Sequence, residues 1–351
     1  LPPGPGLPYA WVAGRSSLRV PLCILLLCLA ALCPAGASPD SLAFIYFGKV
    51  LLVDPSSREL RLVGTLSPAA PAVDVDPRGW IWGRLEPRHL AALDPDSGEL
   101  VARVRLPRKP YHQLIAADGK AYVTHQSPAK EGFTLTVVDT RSRSLLRELP
   151  GIVGLHTDLA QAAGLVYLAA EGASREDSRY SYLYQVDAAG SRIREVLRFE
   201  DAGYFWKLAA DGDRLYLGYL PTREDPRLGR VEVRDARTMD LLGRWDKAPG
   251  PLRGLYAAAG QVLLFCGAGD GNTELLLLDP LLRAAPQVRR LPGPVGQVLG
   301  ILGETLVYLD YPSEAGNRDM SVRFYGLEAG RELGRLKVRD FFLQPAGPLR
   351  R

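Results

Sequence analysis

Asparagine is nearly missing from the 351 residues: Asn272 and Asn317 are the only two. Histidine occurs 4 times, and lysine 7 times against 36 arginines. A metal centre built on imidazoles, or on carboxylates assisted by Asn oxygens, therefore has few His or Asn ligands to draw on. The 4 cysteines (23, 28, 33 and 266) form no CxxCH run, which excludes covalent haem. No G-x-S-x-G and no phosphate loop occurs, so nucleophile-elbow hydrolysis and P-loop chemistry lack their motifs. Charge of one sign is also lacking. With 43 basic and 39 acidic residues the chain is at +4, too balanced for a large basic face that would grip nucleic acid. The hydrophobic share of 47% is ordinary for a globular chain and excludes wholesale disorder.

Only one long apolar run exists, residues 18–33, LRVPLCILLLCLAALC. Arg15 and Arg19 form a basic flank before it, and Ala35-Gly36-Ala37 follows as a small-residue cleavage site. The layout predicts a secretory signal peptide cut after Ala37. The apolar core, Val20 to Leu32, is 13 residues, short for a membrane span. An uncleaved anchor is the alternative. Neither Cys28 nor Cys33 follows a small residue, so lipoprotein processing is not expected. Residues 1–37 are read as an upstream segment plus leader, and 38–351 as one domain. Loss of the leader leaves 41 basic against 39 acidic residues, +2, and Cys266 as the lone cysteine. An exported chain with one cysteine has no internal disulfide. Within LLFCG, Cys266 is expected in the core.

The remainder repeats. Strand-formers ending in Asp, then a turn and a short strand, recur at Asp54, Asp94, Asp139, Asp187, Asp235, Asp279 and finally Gly326. The spacings are 40, 45, 48, 48, 44 and 47 residues. Between anchors a second unit recurs, as in LIAADGKAYVTH (114–125), LAQAAGLVYLAA (159–170) and LAADGDRLYLGY (208–219). Each period thus supplies four short strands with turn residues between them. The first two strands of each period are nearly all apolar, as doubly covered strands should be, and the last alternates with Arg and Glu. Four strands per period of this length is a propeller blade, and seven anchors predict a seven-bladed, all-β propeller of antiparallel four-stranded blades. Blade 1 lacks a fourth strand ahead of LAFIYF (42–47). The C-terminal DFFLQP (340–345) is expected to enter blade 1 as its innermost strand and close the ring, which removes open sheet edges.

Residues 121–149, AYVTHQ followed by LTVVDTRSRSLLREL, resemble the YVTN-type repeat. That family forms seven-bladed propellers and is similar to the heavy chains of quinoprotein amine dehydrogenases and to secreted surface-layer proteins. The resemblance implies an exported propeller. The family motif carries no catalytic residues, and the dehydrogenase heavy chain is itself a scaffold for a smaller subunit. Only blade 3 matches closely; elsewhere Tyr-Val-Thr becomes Tyr-Leu-Ala (167–169), Tyr-Leu-Gly (216–218) or Leu-Phe-Cys (264–266).

In a propeller the segment leading into each blade and the connection between its second and third strands share one face. Here the second-to-third connections are long, as in EGASREDSRY (171–180) and LPTREDPRLG (220–229), while the turns after the Asp anchors are short. Binding residues concentrate on such loops. The same face receives the residues leading into each blade: Tyr111, His112, His156, Asp158, Tyr204, Phe205, Trp206, Arg253 and Gln297. They are expected to ring the mouth of the central channel, where aromatic and polar groups converge as in a pocket.

No catalytic residue and no metal ligand is assigned. The expected function is a non-enzymatic, exported, monomeric binding scaffold that presents this face to a protein or a small polar ligand. No cofactor is expected, calcium being the one candidate left open. The alternative is a lactonase-like metal-dependent hydrolase, or an oxidoreductase, using His112, His156 and Asp158 at the channel mouth.

Overall fold

The computed structural model describes residues 42–339, apart from 68–72, 111–112, 116–117, 127–131, 172–179, 201–204, 220–228, 248–251, 259, 269–271 and 311–319. Every described sheet is antiparallel, and the strands fall into seven blades. Blade 1 holds β1 (Leu42–Tyr46), β2 (Lys49–Asp54) and β3 (Glu59–Thr65). Blade 2 holds β4 (Val73–Val75), β5 (Ile81–Glu86), β6 (His89–Leu93) and β7 (Leu100–Arg105). Blade 3 holds β8 (Gln113–Ile115), β9 (Lys120–Gln126), β10 (Gly132–Asp139) and β11 (Ser144–Val153). Blade 4 holds β12 (Leu155–Ala162), β13 (Leu165–Glu171), β14 (Tyr180–Val186) and β15 (Ile193–Glu200). Blade 5 holds β16 (Phe205–Asp211), β17 (Arg214–Tyr219), β18 (Arg230–Asp235) and β19 (Leu241–Trp245). Blade 6 holds β20 (Leu252–Ala258), β21 (Gln261–Gly267), β22 (Thr273–Leu278) and β23 (Gln287–Leu291). Blade 7 holds β24 (Val295–Leu302), β25 (Thr305–Asp310), β26 (Ser321–Gly326) and β27 (Arg331–Lys337).

In blades 2 to 7 the strands are ordered from the inside outwards, and the innermost strands lie side by side around the ring. In blade 1 three strands are described, and β1 lies against both β4 and β24. The segment expected to close this blade, 340–345, lies outside the described residues, as does the leader at 1–37.

The hydrophobic cores sit between adjacent blades. Tyr216 and Val233 of blade 5 pack with Leu255, Leu264 and Cys266 of blade 6. Leu42 and Phe44 of blade 1 pack with Leu299, Val307 and Phe324 of blade 7. The second and third strands, rather than the first two, are buried on both faces: β17 is buried from Leu215 onwards and β26 throughout, whereas the innermost β20 and β24 are only partly covered. Outer strands are mostly exposed, as in β11. At roughly 25 cal/mol per Å² of apolar surface, these interblade layers dominate the stabilisation.

The Asp anchors are turn formers. Oδ1 of Asp139 accepts the backbone N–H of Arg141 at 2.7 Å and of Ser142 at 2.8 Å, and Asp54, Asp94 and Asp235 repeat the pattern. These bonds hold the Asp139 carboxyl below its ordinary value, the Ser142 N–H contributing most. Three or four residues on, each turn has a left-handed residue: Arg58, Gly98, Arg143, Gly190, Met239, Leu282 and Gly330. At Gly98 a Cβ would stand 2.2 Å from the Val63 carbonyl oxygen of blade 1. The tyrosine of the recurring Tyr-x-x unit has a matching task. Tyr167 donates its hydroxyl to the Ala236 carbonyl, and Tyr216 to that of Pro280 at 3.2 Å. Both acceptors directly follow the Asp anchor of the next blade. The motif therefore staples blades together.

Candidate functional site

Four innermost strands carry the same irregularity at the same level. Their pairing shifts between His156 and Asp158, Phe205 and Lys207, Leu252 and Gly254, and Val295 and Gln297. Each shift inserts one residue: Thr157, Trp206, Arg253 and Gly296. A bulge bends its strand and re-aims a side chain. These four lie where the chain enters the blade, at the face of the long second-to-third connections. Blades 4 to 7 thus share a deformed inner rim.

Of the residues expected there, Tyr111, His112 and Tyr204 lie outside the described residues, and His156, Phe205 and Trp206 are described as backbone only. The structure brings Arg253 and Gln297 to one recess of about 560 Å³, counting space open to solvent. Lys207 reaches it from blade 5, Leu255 and Phe265 wall it from blade 6, and Gly296 lines it from blade 7. Gly296 has no side chain at the position where blade 6 carries Arg253, and the gap forms part of the opening.

Arg253 is exposed. Its guanidinium lies over Gly267, where a Cβ would come within 2.9 Å of Nε. Glycine at 267 thus sets how the guanidinium lies. Gln297 is only 8% exposed, and among the described residues its Nε2 has no hydrogen-bond partner. A buried amide donor left unpaired costs about 1–3 kcal/mol, so a partner supplied from the recess would recover a sizeable term.

Asp158 is placed differently from the other two. It is 5% exposed, and its Oδ2 accepts the Leu208 N–H of blade 5 at 2.9 Å. The same oxygen lies 3.6 Å from Lys207 Nζ. Asp158 therefore ties blade 4 to blade 5 and balances a buried ammonium. Burial pushes the Lys207 pKa down, against the opposing pull of Asp158. His125, on the second strand of blade 3, is fully buried, with Nδ1 3.2 Å from the Lys109 carbonyl oxygen. Among the described residues no group of three His, Cys, Asp or Glu side chains could hold a metal ion.

Lys207, Phe265 and Gly296 escaped the sequence reading. Lys207 left a signal: a rare lysine between Trp206 and the apolar Leu208-Ala209-Ala210 is a charge inside a buried strand. Phe265 left none, because Leu-Phe-Cys reads as core.

No protein-family model matches the chain, and no curated protein matches it. Solved structures do. Hydrazine synthase of Kuenenia stuttgartiensis is 14% identical, with a TM-score of 0.59 over 86% of this chain and 94% of that one. The β-propeller domain of the Trilobed protease from Pyrococcus furiosus is 12% identical, with a TM-score of 0.56 over 80% and 86%. The computationally designed Ika8 protein is 14% identical, with a TM-score of 0.58 over 85% and 87%. The chain has the propeller fold. At such identities the likeness is one of fold alone, since one propeller scaffold serves many unrelated tasks.

Proposed function

We propose that the chain is an exported propeller of the YVTN type that binds a small polar ligand on its loop-rich face and performs no chemistry of its own. The observation that carries the reading is the recess between β16, β20 and β24, where a re-aimed arginine, an unpaired buried amide and apolar walls converge. Few precisely placed polar groups on an apolar surface are what a ligand pocket contains. The leader-like segment at 15–37 supports export. Among the described residues no helix is long and apolar enough to cross a membrane.

A thermal-shift screen of chemically mixed small molecules tests the reading. Molecules that raise the melting temperature of the wild type are expected to lose that effect in Gln297→Leu, which fills the same space without a donor. Hits that stabilise both proteins equally bind elsewhere and contradict it. Stoichiometric metal in the purified protein, lost in Asp158→Ala, would replace it with the hydrolase or oxidoreductase alternative.

A further inference from the structure

The charges around the recess do not cancel. Its lining holds two basic residues, Lys207 and Arg253, and no acid. Lys207 has its counter-charge in Asp158, 3.6 Å away and equally buried. Arg253 has no ion pair among the described residues, and its pose is set by the bare backbone of Gly267 behind it. The unpaired Nε2 of Gln297 adds a second donor. Leu255, Phe265, Val295 and Val298 make the remaining wall apolar.

We propose that the recess takes a small monocarboxylate with an apolar or aromatic body, its carboxylate held by the Arg253 guanidinium and the Gln297 amide. The proposal rests on the ligand-binding reading above and names its ligand class. A guanidinium presents paired N–H groups that match the two oxygens of a carboxylate, and such charge-assisted bonds are about twice as strong as neutral ones. The carboxylate would also supply the partner that the buried amide lacks. A cationic ligand would meet two basic side chains with no acid facing it. A fully apolar ligand would leave the Gln297 donor unpaired. The recess, about 560 Å³ with space open to solvent counted, has room for a body of one ring.

The test compares benzoate, phenylacetate and 3-phenylpropionate with their primary amides, by titration calorimetry on the full chain. Each amide keeps the shape of its acid and removes the charge. At least one acid is expected to bind, with its amide at least 10-fold weaker. Arg253→Gln, an exposed substitution, should bring acid and amide to within a factor of 2 while the protein melts as wild type. Gln297→Leu should weaken the acid several-fold. Equal binding of acid and amide, or an acid preference that survives Arg253→Gln, overturns the proposal. So does binding of none of the six up to 10 mM. If neutral or cationic hits from the thermal-shift screen still require Gln297, the acid class fails and the ligand site stands. If nothing depends on Gln297, both fall.

Discussion

Lys207 and Asp158 form the most consequential residue pair of the inner rim, because both are buried and each belongs to a different blade. Asp158→Asn keeps an acceptor for the Leu208 N–H but leaves the ammonium without its counter-charge. Breaking a buried pair from one side costs about 3–5 kcal/mol, so urea unfolding at pH 7 is expected to show a loss of about 3 kcal/mol. The pH dependence has a definite sign. Burial lowers the Lys207 pKa in the folded state from 10.5, so between the folded value and 10.5 the unfolded chain binds more protons. Stability from this group therefore rises with pH across that window. Loss of Asp158 deepens the shift, and the destabilisation should shrink from pH 7 to pH 10. A deficit equal at both pH values would show that Lys207 is not the group responsible. Sequence alone pointed to Asp158 as a candidate ligand. Its role as a tie between blades depends on where Leu208 and Lys207 lie in space, which no local pattern encodes.

At the scale of elements, the anchor turns combine a carboxylate acceptor with a left-handed residue. Gly98→Ala would drive a Cβ to 2.2 Å from the Val63 carbonyl at a φ of +72°. Strain of this kind costs about 1–3 kcal/mol for the backbone alone, and a thermal melt should show a clear loss. The anchors also set acid sensitivity. The backbone N–H of Ser142 above all lowers the Asp139 pKa, and that of Thr238 does the same for Asp235. A carboxyl lowered on folding contributes fully above its unfolded value of 3.8 and loses that contribution as pH falls through the folded value. Melting temperatures measured from pH 5 to pH 2 should accordingly fall less steeply for Asp139→Ala than for the wild type. These turns were legible, because an Asp followed by small or polar residues every 40–48 positions is a chemical signature. The bulges of β12, β16, β20 and β24 were not. An inserted residue in a strand changes pairing without changing composition, so Arg253 and Gln297 could be named while the recess between them could not.

For the molecule as a whole, the seven periods predicted the ring, and the interblade cores show why it holds: each blade buries its faces only against its neighbours. Such an assembly depends on closure. In blade 1 three strands are described, and Val338 already packs in the core shared by blades 7 and 1. Removal of residues 340–351, expected to supply the remaining strand, should broaden the urea transition and lower its midpoint. A truncated chain that unfolds as sharply as the intact one would remove the C-terminal segment from the closure. The loop-rich face was also readable in advance from loop lengths. The central claim is that this face holds its ligand at the inner rim of blades 5 to 7. A crystal structure of the chain soaked with a hit from the thermal-shift screen tests it most directly. The account predicts the ligand between β16, β20 and β24, in contact with Gln297. A ligand bound elsewhere on the propeller would contradict it.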